Sequence, residues 1–157
     1  MKGGFCMEEV IQREKELVYR LAFSQCHQKD QADDIFQNVM YRYMKRKPVF
    51  ESLEHEKAWF IRVTINACKD LLKSFFRSHA VSLDEVVEQA GSAGDERSEV
   101  MEAVLKLPEK YRRIIYLHYY EGYTAPQISK ILGKNVNSIY TLMTRARNLL
   151  KKELGGE

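Results

Sequence analysis

The sequence predicts an all-α protein that consists of two small helical domains joined by a flexible acidic linker. Apolar residues recur every three to four positions in both halves of the chain, and no segment shows the alternation that marks a half-buried strand. An acidic strip that contains Gly91 and Gly94 interrupts these helical patterns. We therefore divide the chain into a domain over residues 1–79, a linker over residues 80–99 and a domain over residues 100–157.

The N-terminal domain is predicted to be a helical bundle. Apolar residues at helical spacing predict its first two helices, with Val10, Leu17, Val18 and Leu21 in one and Ile35, Val39 and Tyr43 in the other. Pro48 separates these from a third helix over about residues 54–77. That helix carries two apolar stripes, one of Trp59, Val63, Ala67 and Leu71 and one of Ile61, Ile65, Cys68 and Leu72. It is therefore predicted to lie at the centre of the bundle, with Trp59 in the core.

The C-terminal domain is predicted to contain four helices, of which the last two are the most clearly bounded. The first covers about residues 100–107, and the second begins after Pro108 and stops at Gly122. Thr124 and Gln127 form a capping-box pair, so the third helix begins at Ala125. Gly133 ends this helix, Asn135 is the N-cap of the fourth, and Ile139 should be buried between the two.

A short helix, a glycine turn and a basic second helix in this order are typical of a helix-turn-helix motif. No acidic residue occurs between Asn135 and Lys152, which suits a polyanionic partner. The side chains predicted to reach base edges or phosphates over about residues 125–147 and beyond are those of Thr124, Gln127, Asn135, Asn137, Ser138, Tyr140, Thr141, Thr144, Arg145, Arg147 and Lys151. Arg145 and Arg147 are interpreted as phosphate binders, with helix packing as the alternative for Arg145. A helical hairpin that only packs is the structural alternative for the motif.

Charge follows the same three-part division. The net charge is +3 over residues 1–79, −5 over residues 80–99 and +5 over residues 100–157. The two basic blocks favour nucleic acid as a partner, whereas the acidic linker should avoid it. Cys6, Cys26 and Cys68 are odd in number and widely spaced, which predicts free thiols. This spacing also argues against a cysteine metal site, and we expect neither a metal nor another cofactor. No membrane-spanning apolar run and no signal-peptide core is visible in the sequence, so we expect a cytoplasmic protein.

Several segments resemble the sigma-70 family of RNA polymerase sigma factors. Leu107-Pro108, Arg112-Arg113, Leu117 and Gly122 precede LGKNVNSIYTLMTRARNLLKKEL, which looks like the family domain that reads the promoter −35 element. QADDIFQNVMYRYMK resembles the family's polymerase-docking helix, and EKAWFIRVTINACKDLLKSFFR resembles its helix for the −10 element. Two domains without a large insert resemble the compact extracytoplasmic-function (ECF) group, over about residues 15–154.

The resemblance implies a specificity subunit, without a catalytic site, that binds core RNA polymerase and directs it to promoter DNA. The polymerase surfaces implied are the clamp of the largest catalytic subunit and the flap of the second. A further implied partner is an anti-sigma factor that holds both domains. The residues that match the family's polymerase-docking surface are Asp33, Asp34, Gln37, Asn38, Tyr41 and Arg42. A solvated polar helix face is the alternative for these side chains.

For the −10 element, the resemblance points to two groups of residues. Phe50, Glu51, Ser52 and His55 stand where the family has its specificity loop. Arg62, Asn66, Lys69, Lys73 and Arg77 recur every three to four positions and form a polar, basic stripe on the third helix. Phe75 and Phe76 are compatible with either packing or DNA contact.

Base preference does not follow from the resemblance. Val136, Tyr140 and Leu142 stand where related factors often carry charges, and Gln127 replaces a usual acidic residue. Two other classes of protein stay open. One is a stand-alone helix-turn-helix transcriptional regulator whose N-terminal bundle dimerises or senses a ligand. The other is a metal-dependent hydrolase that uses His27, Asp30, Asp33 and Asp34, although these residues lack a known metal-site spacing.

Overall fold

The computed structural model describes residues 6–79 and 99–155, and all regular elements in these ranges are helical, as the sequence predicts. The chain divides into two compact units after Ala80. The first unit contains α1 (Met7–Cys26), α2 (Lys29–Arg46) and α3 (Leu53–His79). The second contains α4 (Glu99–Leu105), α5 (Glu109–Ile115), α6 (Ala125–Leu132) and α7 (Val136–Glu153), and a π-helical turn, Tyr116–Tyr120, extends α5. The predicted linker lies outside the described residues, except that Glu99 already belongs to α4.

The three helices of the first unit pack against one another around a common core. Val18 and Ala22 of α1, Val39 of α2, and Phe60 and Cys68 of α3 are all buried there. The helical spacing of apolar residues predicted in α1 and α2 is confirmed, because each of those residues is buried. Cys6, Cys26 and Cys68 are not joined in disulfide bonds, as predicted.

The buried face of α3 differs from the predicted pair of stripes. Phe60 and Thr64, which the prediction omits, are fully buried. The Thr64 hydroxyl donates a hydrogen bond of 2.6 Å to the Phe60 carbonyl, so its burial loses no hydrogen bond. Partly buried side chains that pack against the core are those of Trp59, Val63 and Leu71. One broad apolar face therefore replaces two separate stripes, and Trp59 belongs to the edge of the core.

The core of the second unit lies between α5 and α7, with α4 beside them. Leu107, Tyr111 and Ile115 pack there against Ala146 of α7. Arg112 is also buried and donates a hydrogen bond of 2.6 Å to the Leu107 carbonyl, so this arginine holds the α4–α5 turn in place. None of the helices in residues 6–79 and 99–155 has the length and apolarity of a membrane span.

The end of α5 contains a feature that the sequence did not predict. The Glu121 amide bonds to the Tyr116 carbonyl over 3.1 Å, five residues back, and the Tyr123 amide bonds to the Leu117 carbonyl over 3.0 Å. The first bond closes a π-helical turn that widens the helix, and the second closes the turn in which Gly122, at a φ of 79°, ends it. The turn sends Tyr119 and Tyr120 out to solvent.

Candidate nucleic-acid interface

The boundaries of α6 and α7 are set by their caps. The Thr124 hydroxyl accepts a hydrogen bond from the Gln127 amide over 3.3 Å, and the Thr124 amide donates to the Gln127 side chain over 2.9 Å. Gly133 ends α6 in the left-handed region, at a φ of 67°. The Asn135 side chain then accepts a hydrogen bond from the Asn137 amide over 2.7 Å and begins α7. All of these predicted caps are confirmed.

The caps also give roles to three predicted DNA-binding residues. The side chains of Thr124, Gln127 and Asn135 are exposed, and each makes a capping hydrogen bond, Thr124 and Gln127 at the start of α6 and Asn135 at the start of α7. These side chains therefore fix where the two helices begin, and their contact with DNA stays a prediction. Ser129 has a local role in the turn between α6 and α7, because its hydroxyl donates to the Lys134 carbonyl there.

One face of α7 is buried and the opposite face is polar and exposed. Ile139, Met143 and Ala146 are buried, and Ile139 is fully buried as predicted. The predicted DNA-binding side chains of this helix all lie on the solvent side, namely Asn137, Ser138, Tyr140, Thr141, Thr144, Arg145, Arg147 and Lys151. The structure thus brings eight of the eleven predicted side chains onto one continuous helix surface.

The exposed face of α7 has two distinct flanks. Tyr140 and Arg147 are two helical turns apart on one flank, where the Arg147 Nε donates a hydrogen bond of 3.0 Å to the Tyr119 hydroxyl. Ser138 and Arg145 are two turns apart on the other flank, where both line a groove between α5 and α7. Arg145 is exposed, which argues against the alternative of a packed residue.

The residues predicted at the −10 loop are mostly involved in local structure. The Ser52 hydroxyl accepts a hydrogen bond of 3.1 Å from the His55 amide, and the His55 Nδ1 accepts one of 3.1 Å from the Glu51 amide. These bonds cap the start of α3. Phe50 is half-buried, with its ring 6.3 Å from that of Tyr43 and 5.9 Å from that of Trp59, measured between centroids. Phe50 therefore packs at the edge of the core, and its contact with DNA stays a prediction.

The basic stripe on α3 lies on the solvent side of the helix. Arg62, Asn66, Lys69 and Lys73 are all exposed, on the face opposite Phe60 and its buried neighbours. Their spacing of three to four residues aligns them along the helix. The side chains of Arg77, Phe75 and Phe76 lie outside the described residues. The described part of the stripe forms a polar face with three positive charges.

The predicted polymerase-docking residues form a polar surface along α2. Gln37, Asn38 and Tyr41 are exposed, and the Tyr41 side chain is 59% accessible. Two ion pairs border this surface. Asp33 lies 3.3 Å from the Lys29 ammonium, and Arg42 lies 3.8 Å from Asp70 of α3. Asp34, Asn38 and Arg42 meet in a shallow groove of about 240 Å³ beside Asp70.

The histidine and aspartates of the hydrolase hypothesis do not meet in one site. His27 is buried where α1 ends, whereas Asp30 and Asp34 are exposed on α2. Within residues 6–79 and 99–155, no three His, Cys, Asp or Glu side chains are arranged to hold a metal ion.

Sequence reasoning missed a charged cluster inside the first unit. Arg13 forms two hydrogen bonds of 2.8 Å with the Glu56 carboxylate, and the Lys57 ammonium lies 3.5 Å from Glu14. Both carboxyl groups are buried. A signal was present, since Glu14 stands four residues after Val10 and three before Leu17, on the apolar face of α1.

A helical bundle followed by a separate helix-turn-helix unit with a polar, basic recognition face defines a two-module DNA-binding protein. The family model for Sigma-70 region 2 matches residues 10–80, and that for Sigma-70, region 4 matches residues 97–150. Together they cover most of the chain, in the family's order. The chain belongs to the sigma-70 family of RNA polymerase sigma factors, and within it to the ECF group, whose members direct transcription initiation.

Known sigma factors are similar over nearly the whole chain. RNA polymerase sigma factor SigV of Bacillus subtilis is 28% identical over 146 residues, which span 91% of this chain and 87% of SigV. ECF RNA polymerase sigma factor SigM of Mycobacterium tuberculosis is 23% identical over 153 residues, which span 96% and 78%. The sigma factor RpoE of Bartonella quintana, solved with the anti-sigma factor NepR, shares the fold with a TM-score of 0.72 at 19% identity, over 94% of this chain and 96% of RpoE.

Proposed function

We propose that this chain recruits core RNA polymerase to promoters, with residues 100–157 binding the −35 element and residues 1–79 binding polymerase and the −10 element. The observation that carries the proposal is the continuous polar face of α7, on which all eight predicted side chains are exposed while Ile139, Met143 and Ala146 anchor the helix. An α-helix fits the major groove of B-form DNA, where base edges are distinguishable.

The face of α7 divides into positions for reading bases and positions for binding phosphates. Asn137, Thr141 and Thr144 lie at its centre, and Ser138 and Tyr140 lie on either side of them. An asparagine side chain can bond adenine with two hydrogen bonds, which discriminates by about 1 to 3 kcal/mol. Arg145, Arg147 and Lys151 carry charge without a fixed base partner and are assigned to the backbone.

Melted −10 DNA requires cations along a single strand and hydrogen-bonding groups for unstacked bases. The exposed stripe of Arg62, Asn66, Lys69 and Lys73 supplies both on a rigid helix. Glu51, Ser52 and His55 are exposed at the start of that helix, so they stand near the strand that the stripe would hold. We assign base contact to this loop and backbone contact to the stripe.

Polymerase docking is assigned to the α2 surface. Tyr41 is a large aromatic side chain that remains 59% accessible among polar neighbours, and exposed aromatics of this kind are enriched in protein interfaces. Asp34, Gln37, Asn38 and Arg42 surround it with hydrogen-bonding groups. The clamp of the largest catalytic subunit is the proposed partner of this surface, and the flap of the second subunit that of the C-terminal domain.

Three further parts of the proposal follow from family membership. An anti-sigma factor holds the free protein inactive, the protein works in the cytoplasm, and it has no catalytic activity of its own. The acidic strip over residues 80–99 acts as a tether that raises the local concentration of the second domain once the first is bound.

Run-off transcription with purified core polymerase and a promoter library tests the proposal. We expect promoter-specific transcripts only when this protein is added, and their loss in a variant with Tyr41→Ala and Asn38→Ala. Lys15→Ala, which changes an exposed residue of α1, is the matched control and should retain activity. Symmetric footprints on duplex DNA without polymerase would instead identify a stand-alone regulator.

A further inference from the structure

A positively charged groove lies beside α7 and includes residues that the sequence did not assign to DNA. It has a volume of about 590 Å³ and runs between α5 and the first turns of α7. Lys110 and Arg113 of α5, Lys134 of the turn and Arg145 of α7 all line it. Its described lining contains no acidic side chain. Four cationic residues from three separate segments therefore converge on one concave surface.

The four cationic side chains differ in their burial and in their contacts. Arg113 is 6% exposed and pairs with Glu109, so it is a fixed part of the groove wall. Lys110, Lys134 and Arg145 are exposed at the rim. The Lys110 ammonium lies 5.2 Å from the centre of the Tyr111 ring, which orients it without neutralising its charge. Ser138 and Thr141 line the groove on the side of α7, where the Thr141 hydroxyl donates to the Asn137 carbonyl over 3.0 Å.

The position of the groove indicates which part of DNA would reach it. A helix with its side chains is about 10 to 12 Å wide, and the major groove of B-form DNA is about 12 Å wide. When α7 occupies the major groove, its two flanks must therefore face the backbones of the two strands. Arg145 lies on the flank at the charged groove, whereas Arg147 lies on the flank at Tyr119.

We infer that this groove binds a backbone phosphate of duplex DNA on one strand beside the −35 element, with Lys110 and Lys134 as its exposed anchors. The inference rests on the proposed function, because it requires α7 to enter the major groove. A phosphodiester carries one negative charge and several acceptor oxygens, which match the ammonium donors of these lysines. Because every nucleotide carries the same phosphate, this site adds affinity without sequence preference.

The test measures the salt dependence of binding between the full chain and a mixed-sequence DNA duplex of about 25 base pairs. Lys110→Gln combined with Lys134→Gln should lower the slope of log K against log salt by about 1 for each lost contact. The matched control combines Lys106→Gln with Lys130→Gln, which remove the same charge from exposed sites in the same domain outside the groove. The slope of log K against log salt should decrease less in the control than in the groove variant.

The two variants and their arginine replacements decide whether the groove is a phosphate site. A larger loss in the groove variant than in the control, with recovery when both lysines are replaced by arginine, supports the site. Equal losses, or a wild-type chain that does not bind the duplex, overturn it. Circular dichroism of each variant shows that the helices are intact. Run-off transcription separates the two proposals. Promoter-specific transcripts from the wild type, together with an unchanged salt slope in the groove variant, would refute only the phosphate site. A reduced salt slope in the groove variant, together with no transcripts from the wild type, would refute only the polymerase role.

Discussion

Glu14 of α1 and Glu56 of α3 are buried carboxyl groups that share one cluster of charged side chains. Arg13 binds Glu56 through two hydrogen bonds of 2.8 Å, and Lys57 lies 3.5 Å from Glu14. Burial, followed by the neighbouring Glu56, raises the pKa of Glu14 to about 7. Burial acts to raise the pKa of Glu56 as well, but hydrogen bonds from Arg13 and Glu14 outweigh it and lower that pKa. Below a pH of about 7, we therefore expect Glu14 to hold the proton of the pair and Glu56 the negative charge.

The stability of the first unit should fall as the pH rises from about 5 to about 7. A carboxyl group whose pKa is higher in the folded state than its ordinary value of 4.5 binds more protons folded than unfolded in this range. Its stabilising contribution is complete below the ordinary pKa and is lost as the pH passes about 7. Glu56 acts in the opposite sense only at more acidic pH. Arg13, Lys57, Glu9 and Tyr43 are the other charged or titratable groups of this cluster.

Thermal unfolding of the wild-type chain and the Glu14→Gln variant between pH 5 and pH 8 measures this effect. Glutamine imitates the protonated carboxyl group, so the variant should lose most of the pH dependence. It should exceed the wild type at pH 8 by on the order of 1 to 3 kcal/mol. Glu16→Gln changes an exposed carboxylate of the same helix and should preserve the wild-type profile. Parallel profiles for wild type and Glu14→Gln would contradict the assignment of the proton.

The ion pair between Arg13 and Glu56 should show strong coupling in a double-mutant cycle. Arg13→Gln leaves the Glu56 carboxylate, which is 1% exposed, without its two strongest hydrogen bonds. We expect a loss of about 2 to 4 kcal/mol, because an uncompensated buried charge is costly. Glu56→Gln in the same background should recover part of this loss. Denaturant unfolding of the two single variants and the double variant gives the coupling energy, and additive losses would show that the pair is not coupled.

Features of the fold that depend on neighbouring residues were predictable from the sequence, whereas features that depend on distant residues were not. The caps at Thr124, Gly133 and Asn135 are decided by neighbouring residues, so the sequence predicted the boundaries of α6 and α7. The burial of Glu14 depends on Arg13 and Glu56, and the latter is more than 40 positions away. Spacing alone places Glu14 on the apolar face of α1, but it does not identify the distant partners that allow a carboxyl group to be buried there.

Two contacts of the predicted site residues were not predictable from spacing, because their partners lie on other elements of the fold. Phe50, which the family resemblance assigns to the specificity loop, packs its ring against Tyr43 of α2 and Trp59 of α3. Arg147 of α7 binds the hydroxyl of Tyr119, which belongs to the π-helical turn. The exposed face of α7 was predictable because helical periodicity alone determines it.

Arg147 and Tyr140 share a flank of α7 but should affect promoter binding differently. Arg147→Ala removes a charge that contacts no fixed base, so binding should weaken by a similar factor for all promoter sequences. Tyr140→Ala or Ser138→Ala should alter the preferred −35 sequence, since both side chains are exposed beside the centre of the helix. Selection from randomised promoters with reconstituted holoenzyme measures both effects. An unchanged motif in both the Tyr140 and the Ser138 variants would place base reading elsewhere.

Gly133 should tolerate asparagine better than alanine. Its φ of 67° lies in the left-handed region, where a β-carbon costs about 1 kcal/mol, although no atom lies within 4 Å of the position that this carbon would take. Gly133→Ala should therefore destabilise the second unit by about 1 kcal/mol through backbone strain alone. Gly133→Asn should cost less, because asparagine adopts this conformation more readily. Denaturant unfolding of the two variants compares them directly, and an equal loss in both would contradict the assignment of the cost to the left-handed backbone conformation.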